Sequence, residues 1–141
     1  MAANILIVDD SRTMRSMLKR SLEMSGLDVG TVYEAGNGIE ALAQASQHDV
    51  DVILLDINMP VMNGEQLVQR IKDDDRLRDL PVIIASTEGS ETRIQELLGK
   101  GAKGYLRKPI RPEQLLEVLS PFVDSAEQPS AAIVDDDPLA F

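Results

Sequence analysis

The sequence predicts an α/β protein, a doubly wound parallel sheet covered by helices on both faces. Two observations carry that expectation. The first is a set of short apolar runs, Ile5-Leu6-Ile7-Val8, Val52-Ile53-Leu54-Leu55 and Val82-Ile83-Ile84-Ala85. Runs this short, rich in branched residues and without polar alternation, mark strands buried on both faces. The second is that segments with helical spacing of apolar residues separate the strands, so that strand and helix alternate five times, strand first. That order implies right-handed crossovers and a parallel sheet.

The first strand, Ile5 to Val8, runs into Asp9-Asp10. Ser11 is placed to cap the next helix. Met14, Met17, Leu18 and Leu22 form its expected core stripe, and Gly26 ends it. Gly30 to Ala35, around Val32 and Tyr33, is a weaker edge strand. Asn37-Gly38 opens a helix of small residues expected to turn Ile39, Leu42 and Ala43 inward. The central strand, Val52 to Leu55, ends at Asp56, and a turn follows through Asn58, Pro60 and Asn63-Gly64. Leu67, Val68 and Ile71 mark the third helix, and Asp73-Asp74-Asp75-Arg76 is a polar exit loop. The fourth strand, Pro81 to Ala85, delivers Ser86-Thr87. Ile94, Leu97 and Leu98 mark the fourth helix, closed by Gly99 and Gly101. Ala102 to Arg107, around Tyr105 and Leu106, is a short fifth strand that delivers Lys108-Pro109. Pro112 suits the first position of the last helix, with Leu115, Leu116, Leu119 and Phe122 inward. Arg111 stands at its cap, where Ser, Thr or Asp serves better.

A chain of 141 residues fits one domain with a proper core. The expected organisation is a folded domain over 1–123 and an acidic, disordered tail over 124–141. The net charge of −10 argues against direct nucleic-acid binding, which needs clustered Lys and Arg. Half of that charge lies in the tail, whose five acids (Asp124, Glu127, Asp135, Asp136 and Asp137) face no Lys or Arg. Within the tail, Ala132 to Pro138 loosely echoes Ile5 to Asp10, which is read as chance. The chain has no cysteine, so disulfides and thiolate metal sites are excluded. No apolar run approaches the ~20 residues that span a membrane, and no secretory leader precedes the first strand. A cytoplasmic location is expected.

The polar residues at strand ends then become informative. Asp9, Asp10, Asp56, Ser86 and Lys108 all fall at the carboxyl edge of one sheet, where open α/β folds bind ligands. Three carboxylates there would repel one another unless a hard divalent cation sits among them, and so few oxygen ligands suit Mg²⁺. A carboxylate beside Mg²⁺ and a lysine can attack a phosphoryl group and form an acyl phosphate. Taken singly, each residue has a plainer reading. Asp9-Asp10 suits a helix amino terminus, Lys108 a solvated surface, Ser86 or Asn58 a turn, and Tyr105 half-buried packing. His48 reads as a surface loop residue, and the methionines as core filler.

In order and at strand ends, these pieces resemble the receiver domain of two-component response regulators, most nearly its stand-alone CheY-like members. The matching stretches are Ile5 to Ser11, Leu55 to Pro60 with Asn63-Gly64, Leu80 to Ile84, and Gly101 to Leu106 with Lys108-Pro109. The resemblance implies the flavodoxin-like (CheY-like) strand order 2-1-3-4-5. It implies that Asp56 is the phosphoacceptor and that Asp9, Asp10, Asp56 and the backbone carbonyl of Asn58 hold Mg²⁺. Lys108 is implied to pair with the phosphoryl group, with a cis bond before Pro109. Ser86 is implied to be the switch hydroxyl and Tyr105 the aromatic switch. The output face is implied to be the fourth helix, last strand and last helix, near Arg93. The implied partners are a histidine kinase or phosphotransfer protein as donor and a downstream protein target, with the chain a monomer or a phosphorylation-dependent dimer. It is then a switch that catalyses only its own phosphotransfer and dephosphorylation.

One departure concerns Thr87, where the family usually has Ala or Gly, which leaves the phosphoryl group more open. Asn58 and Glu88 occupy the two variable positions that tune phosphate lifetime. Three other readings compete. The chain is a fragment of a larger regulator, a docking module that takes no phosphoryl group, or a Mg²⁺-dependent aspartyl-phosphate phosphohydrolase. The last is weakened by Asn58, which stands where such enzymes carry a second acid.

Overall fold

Strand and helix alternate strictly along the chain: β1 (Ala3–Val8), α1 (Arg12–Glu23), β2 (Val29–Ala35), α2 (Gly38–Gln47), β3 (Val52–Leu55), α3 (Gly64–Asp73), β4 (Val82–Ser86), α4 (Glu91–Gly99), β5 (Gly104–Arg107) and α5 (Pro112–Leu119). This is a computed structural model, and it describes residues 2–57, 59, 62–87 and 91–123. The strands form one parallel sheet in the order β2-β1-β3-β4-β5. The predicted doubly wound fold, with β2 at an edge, is therefore present. The tail over 124–141, including the echo at 132–138, lies outside the described residues, as do Asn58 and Glu88.

The strand side chains divide by parity between two cores, because successive residues of a strand point to opposite faces. On one face Ile5, Ile7, Val52, Leu54, Ile83, Ala85 and Leu106 pack with Leu18 and Leu22 of α1 and Leu115 and Leu119 of α5. On the other, Leu6, Val8, Ile53, Leu55, Val82 and Ile84 pack with α2, α3 and α4 through Ala41, Ala45, Leu67, Val68, Ile71 and Leu97. Each fully buried Leu or Ile contributes about 2 kcal/mol of transfer free energy. All four residues of β3 are buried, so the central strand is fixed from both sides.

The helix starts follow the capping residues. Ser11, Asn37 and Asn63 each accept, through a side-chain oxygen, an N–H three residues on. Gln66 completes a capping box by accepting the Asn63 N–H at 3.0 Å. Arg111 caps nothing with its own side chain, but Gln114 Oε1 accepts the Arg111 N–H at 2.9 Å.

Several inward assignments need correction. Met17 is 53% exposed and Met24 67%, so these two methionines are not core filler. In α2, Ile39 and Ala43 face solvent, while Gly38, Ala41 and Ala45 are buried. Ala41 and Ala45 lie on the face packed against the core, and at the helix start a Cβ on Gly38 would stand 2.6 Å from Met62. Leu116 is also on the outer side of α5. His48 is exposed but its ring stacks on Tyr33, with centroids 4.3 Å apart. Among the described residues, no helix is long and apolar enough to cross a membrane.

Two glycines are required by their neighbours. Gly101 has φ +116°, and the Lys72 side chain crosses directly over it, its Cε 2.5 Å from where a Cβ would stand. Burial there, then the nearby Lys103, holds the Lys72 ammonium below the usual lysine range, and Asp79 acts against that shift. Gly64 begins α3 with its N–H donated to the Ile57 carbonyl at 3.1 Å. A Cβ on Gly64 would lie 2.5 Å from Ile57 Cα, which is backbone and cannot step aside. Gly64→Ala is therefore expected to cost about 2 kcal/mol despite the better helix propensity of alanine. Urea denaturation at equal m-value checks this, and a stability equal to or above wild type contradicts it.

Candidate metal centre

Between β1 and β3 the chain order reverses, and such a switch point leaves a crevice at the carboxyl ends of the two strands. Asp9 directly follows β1 and Asp56 directly follows β3. Their main chains are locked in place, with Asp56 N–H donated to the Val8 carbonyl at 2.9 Å and Asp9 N–H to the Ala35 carbonyl at 3.1 Å. One carboxylate oxygen from each of Asp9, Asp10 and Asp56 lies within 4.8 Å of the others. Asp9 and Asp56 are buried, at 1% and 8% exposure, and Asp10 is exposed.

Lys108 reaches the same crevice from the end of β5. Its Nζ stands 2.5 Å from Asp9 Oδ2 and 3.6 Å from Asp56 Oδ2. The Lys108 N–H donates to the Ser86 carbonyl at 2.9 Å, which ties the end of β5 to the end of β4. The Lys108–Pro109 bond is cis. Ser86 is fully buried at the last position of β4, and Thr87 beyond it is exposed. Tyr105 pairs with Ile84 in β5 and packs against the core on the α3–α4 face with its hydroxyl buried. Asp9, Asp10, Asp56 and Lys108 thus meet in one place, and Ser86 adjoins them. Asn58 and Glu88 lie outside the described residues.

Three contacts here are not legible in the sequence. The Ser11 N–H donates to Asp9 Oδ1 at 2.9 Å, so the helix amino terminus holds that carboxylate. Arg15 donates through Nη1 to the Asp9 carbonyl at 2.6 Å and through Nε to Glu34 at 2.9 Å. A signal for Arg15 did exist. It precedes Leu18 by three residues and Leu22 by seven, which places a base on the buried stripe of α1 at its site end.

Three carboxylates against one ammonium leave an excess of negative charge. Even at a high effective dielectric, unit charges this close repel by a few kcal/mol. A hard cation relieves that repulsion, and carboxylate oxygens are the donors it prefers. The three carboxylate oxygens lie within 4.8 Å of one another, close enough to share one such cation. A groove of about 540 Å³ at the opposite edge of the sheet, around Asn4, His48, Asp51 and Arg76, contains none of these residues.

The response regulator receiver domain model matches residues 5–120. The chain belongs to that family. It is 38% identical over 116 residues to chemotaxis protein CheY1 of Helicobacter pylori, covering 82% of this chain and 92% of the relative. Among solved structures it resembles Vibrio cholerae CheY4 with a TM-score of 0.77 at 38% identity, over 86% of this chain and 99% of that one. It also resembles a CheX-CheY-BeF3-Mg²⁺ complex from Borrelia burgdorferi, with a TM-score of 0.77 at 30% identity, over 84% of this chain and 87% of that one. Receiver domains bind Mg²⁺ at an acidic cluster, and Asp9, Asp10 and Asp56 form a group able to hold it.

Charge crowding at this receiver's site has a measurable consequence. In metal-free buffer Asp10→Asn is expected to raise stability, by at most about 1 kcal/mol because Asp10 is exposed. With millimolar Mg²⁺ the order reverses, since a ligand bound only by the folded state stabilises it by mass action. Thermal melts with and without Mg²⁺ read both effects, and a variant that Mg²⁺ stabilises as much as wild type contradicts the assignment of Asp10.

Proposed function

We propose that this receiver is a phosphorylation switch in which Asp56 accepts a phosphoryl group from a histidine kinase or a phosphotransfer protein. The observation that carries the reading is the convergence of three carboxylates and the Lys108 ammonium at one strand-order switch point. An Asp56 oxygen attacks the phosphorus of a phosphohistidine. The P–N bond breaks, and its electron pair stays on the imidazole nitrogen. Lys108 turns from the carboxylates to a phosphoryl oxygen. Asp9, Asp10 and Asp56, with the Asn58 carbonyl that the family resemblance implies, would hold Mg²⁺, which would neutralise charge on the transferring group. The Borrelia burgdorferi complex, with beryllofluoride and Mg²⁺, supports carrying this chemistry to the present chain.

The read-out runs through Ser86 and Tyr105. Ser86 stands two residues after Ile84 and Tyr105 stands opposite it, so both lie on the α2–α4 face of the sheet. When the Ser86 hydroxyl moves to the phosphoryl group it leaves space on that face, and Tyr105 fills it. The surface of α4, β5 and α5 then presents a changed face to a protein target. Arg93 of α4 and Lys100 in the turn after it, 3.4 and 3.5 Å from Glu65 of α3, lie where such a change is felt.

Phosphotransfer profiling against purified histidine kinases in Mg²⁺ tests this function. Label is expected on the wild type and absent from Asp56→Asn, and label of equal extent on that variant overturns the reading. A second expectation concerns Thr87, exposed at the rim of the site. Thr87→Ala is expected to accelerate both phosphorylation by bulky donors and hydrolysis, within the roughly tenfold that ~1.4 kcal/mol of barrier relief provides. Unchanged rates in stopped-flow assays contradict a screening role.

A further inference from the structure

We propose that Arg15 is a positioning residue for the metal centre, acting through the main chain of Asp9 and anchored by Glu34. This rests on the Mg²⁺ assignment above. The Arg15 side chain is only 16% exposed, although it sits on the first turns of a surface helix. Its Nη1 donates to the Asp9 carbonyl at 2.6 Å, and its Nε donates to Glu34 Oε1 at 2.9 Å. Glu34 lies on the edge strand β2, one residue before Ala35, whose carbonyl accepts the Asp9 N–H. Asp9 is therefore held at three points other than its catalytic surroundings. Its N–H bonds β2, its carbonyl bonds Arg15, and its Oδ1 accepts the Ser11 N–H at 2.9 Å.

The arrangement fixes the peptide that joins Asp9 to Asp10. That peptide sets the directions in which two adjacent carboxylates leave the chain. Both carboxylates must send an oxygen to one point, from a main chain that has just left a strand and has not yet entered a helix. Without Arg15, the Asp9 carbonyl loses a charge-assisted partner, and the peptide is free to rotate. Such outer contacts orient ligands and typically govern metal affinity by roughly 10–100-fold.

The sign of the effect separates positioning from charge. Removing a cation beside a site for a dication strengthens Mg²⁺ binding by simple Coulomb attraction. Removing a positioning group weakens it. Arg15→Ala is therefore expected to weaken Mg²⁺ binding roughly tenfold. Arg15→Lys keeps the charge and one donor and should recover part of that loss. Glu34→Ala removes the anchor and should fall between wild type and Arg15→Ala. Val32→Ala, on the same edge strand but away from the site, serves as a control for lost stability and is expected to bind Mg²⁺ within about twofold of wild type.

The experiment is Mg²⁺ titration of the full chain by NMR, with amide hydrogen exchange at Ser11 measured in metal-free buffer. Weaker Mg²⁺ binding together with faster Ser11 exchange in Arg15→Ala, relative to Val32→Ala, supports the proposal. Equal or tighter Mg²⁺ binding with unchanged Ser11 exchange overturns it, while phosphoryl uptake at Asp56 would stand. If the wild type itself takes up no Mg²⁺, the metal role of Arg15 falls together with the function proposed above, and faster Ser11 exchange would then report only a structural strap.

Discussion

The structure depends on one constraint, the parallel pairing of β1 with β3. Val8 lies opposite Leu55, and the Asp56 N–H donates to the Val8 carbonyl at 2.9 Å. This register places the residues that follow the two strands side by side, and both are aspartates. Nothing in the carboxylates favours that approach. It is imposed by the burial of apolar side chains on both faces of the two strands, each worth a kcal/mol or more. A crowded acidic crevice is thus maintained by cores that contain no charge. Local destabilisation held by the surrounding fold is a common property of functional sites.

The sheet also separates two tasks. Helices α1 and α5 cover one face, and α1 contributes Ser11 and Arg15 to the fixing of Asp9. Helices α2, α3 and α4 cover the other, where Tyr105 packs and where Ser86 points. One face holds the acidic residues still. The other carries the residues proposed to move. Lys108 joins the two, since its main chain is bonded to Ser86 and its ammonium to Asp9.

Much of this was legible in the sequence, and the reason is the spacing of buried strands. A run such as Val52-Ile53-Leu54-Leu55 has one reading in a chain of alternating elements, and the polar residue after it must lie at the sheet edge. That rule placed Asp9, Asp56 and Ser86, while Lys108 follows the weaker run around Tyr105 and Leu106 and was marked by the Lys108-Pro109 pair. The helices were less legible, because their inward face depends on how closely they approach the sheet. In α2 the large Ile39 turns out and the small Ala41 and Ala45 turn in against the core. The Tyr33–His48 stack joins residues fifteen apart, and no local pattern announces it. Arg15 was overlooked because a base on a surface helix is ordinarily solvated, and its place on the buried stripe carries meaning only once Asp9 is known to lie beneath it.

The proposed phosphoryl acceptor is one group, the Asp56 carboxylate. Borohydride reduces an acyl phosphate to an alcohol and leaves free carboxylates intact. After phosphotransfer in Mg²⁺, reduction and peptide mass spectrometry should find homoserine at position 56 and aspartate at positions 9 and 10. Homoserine at either of those positions, with Asp56 unchanged, would contradict the account.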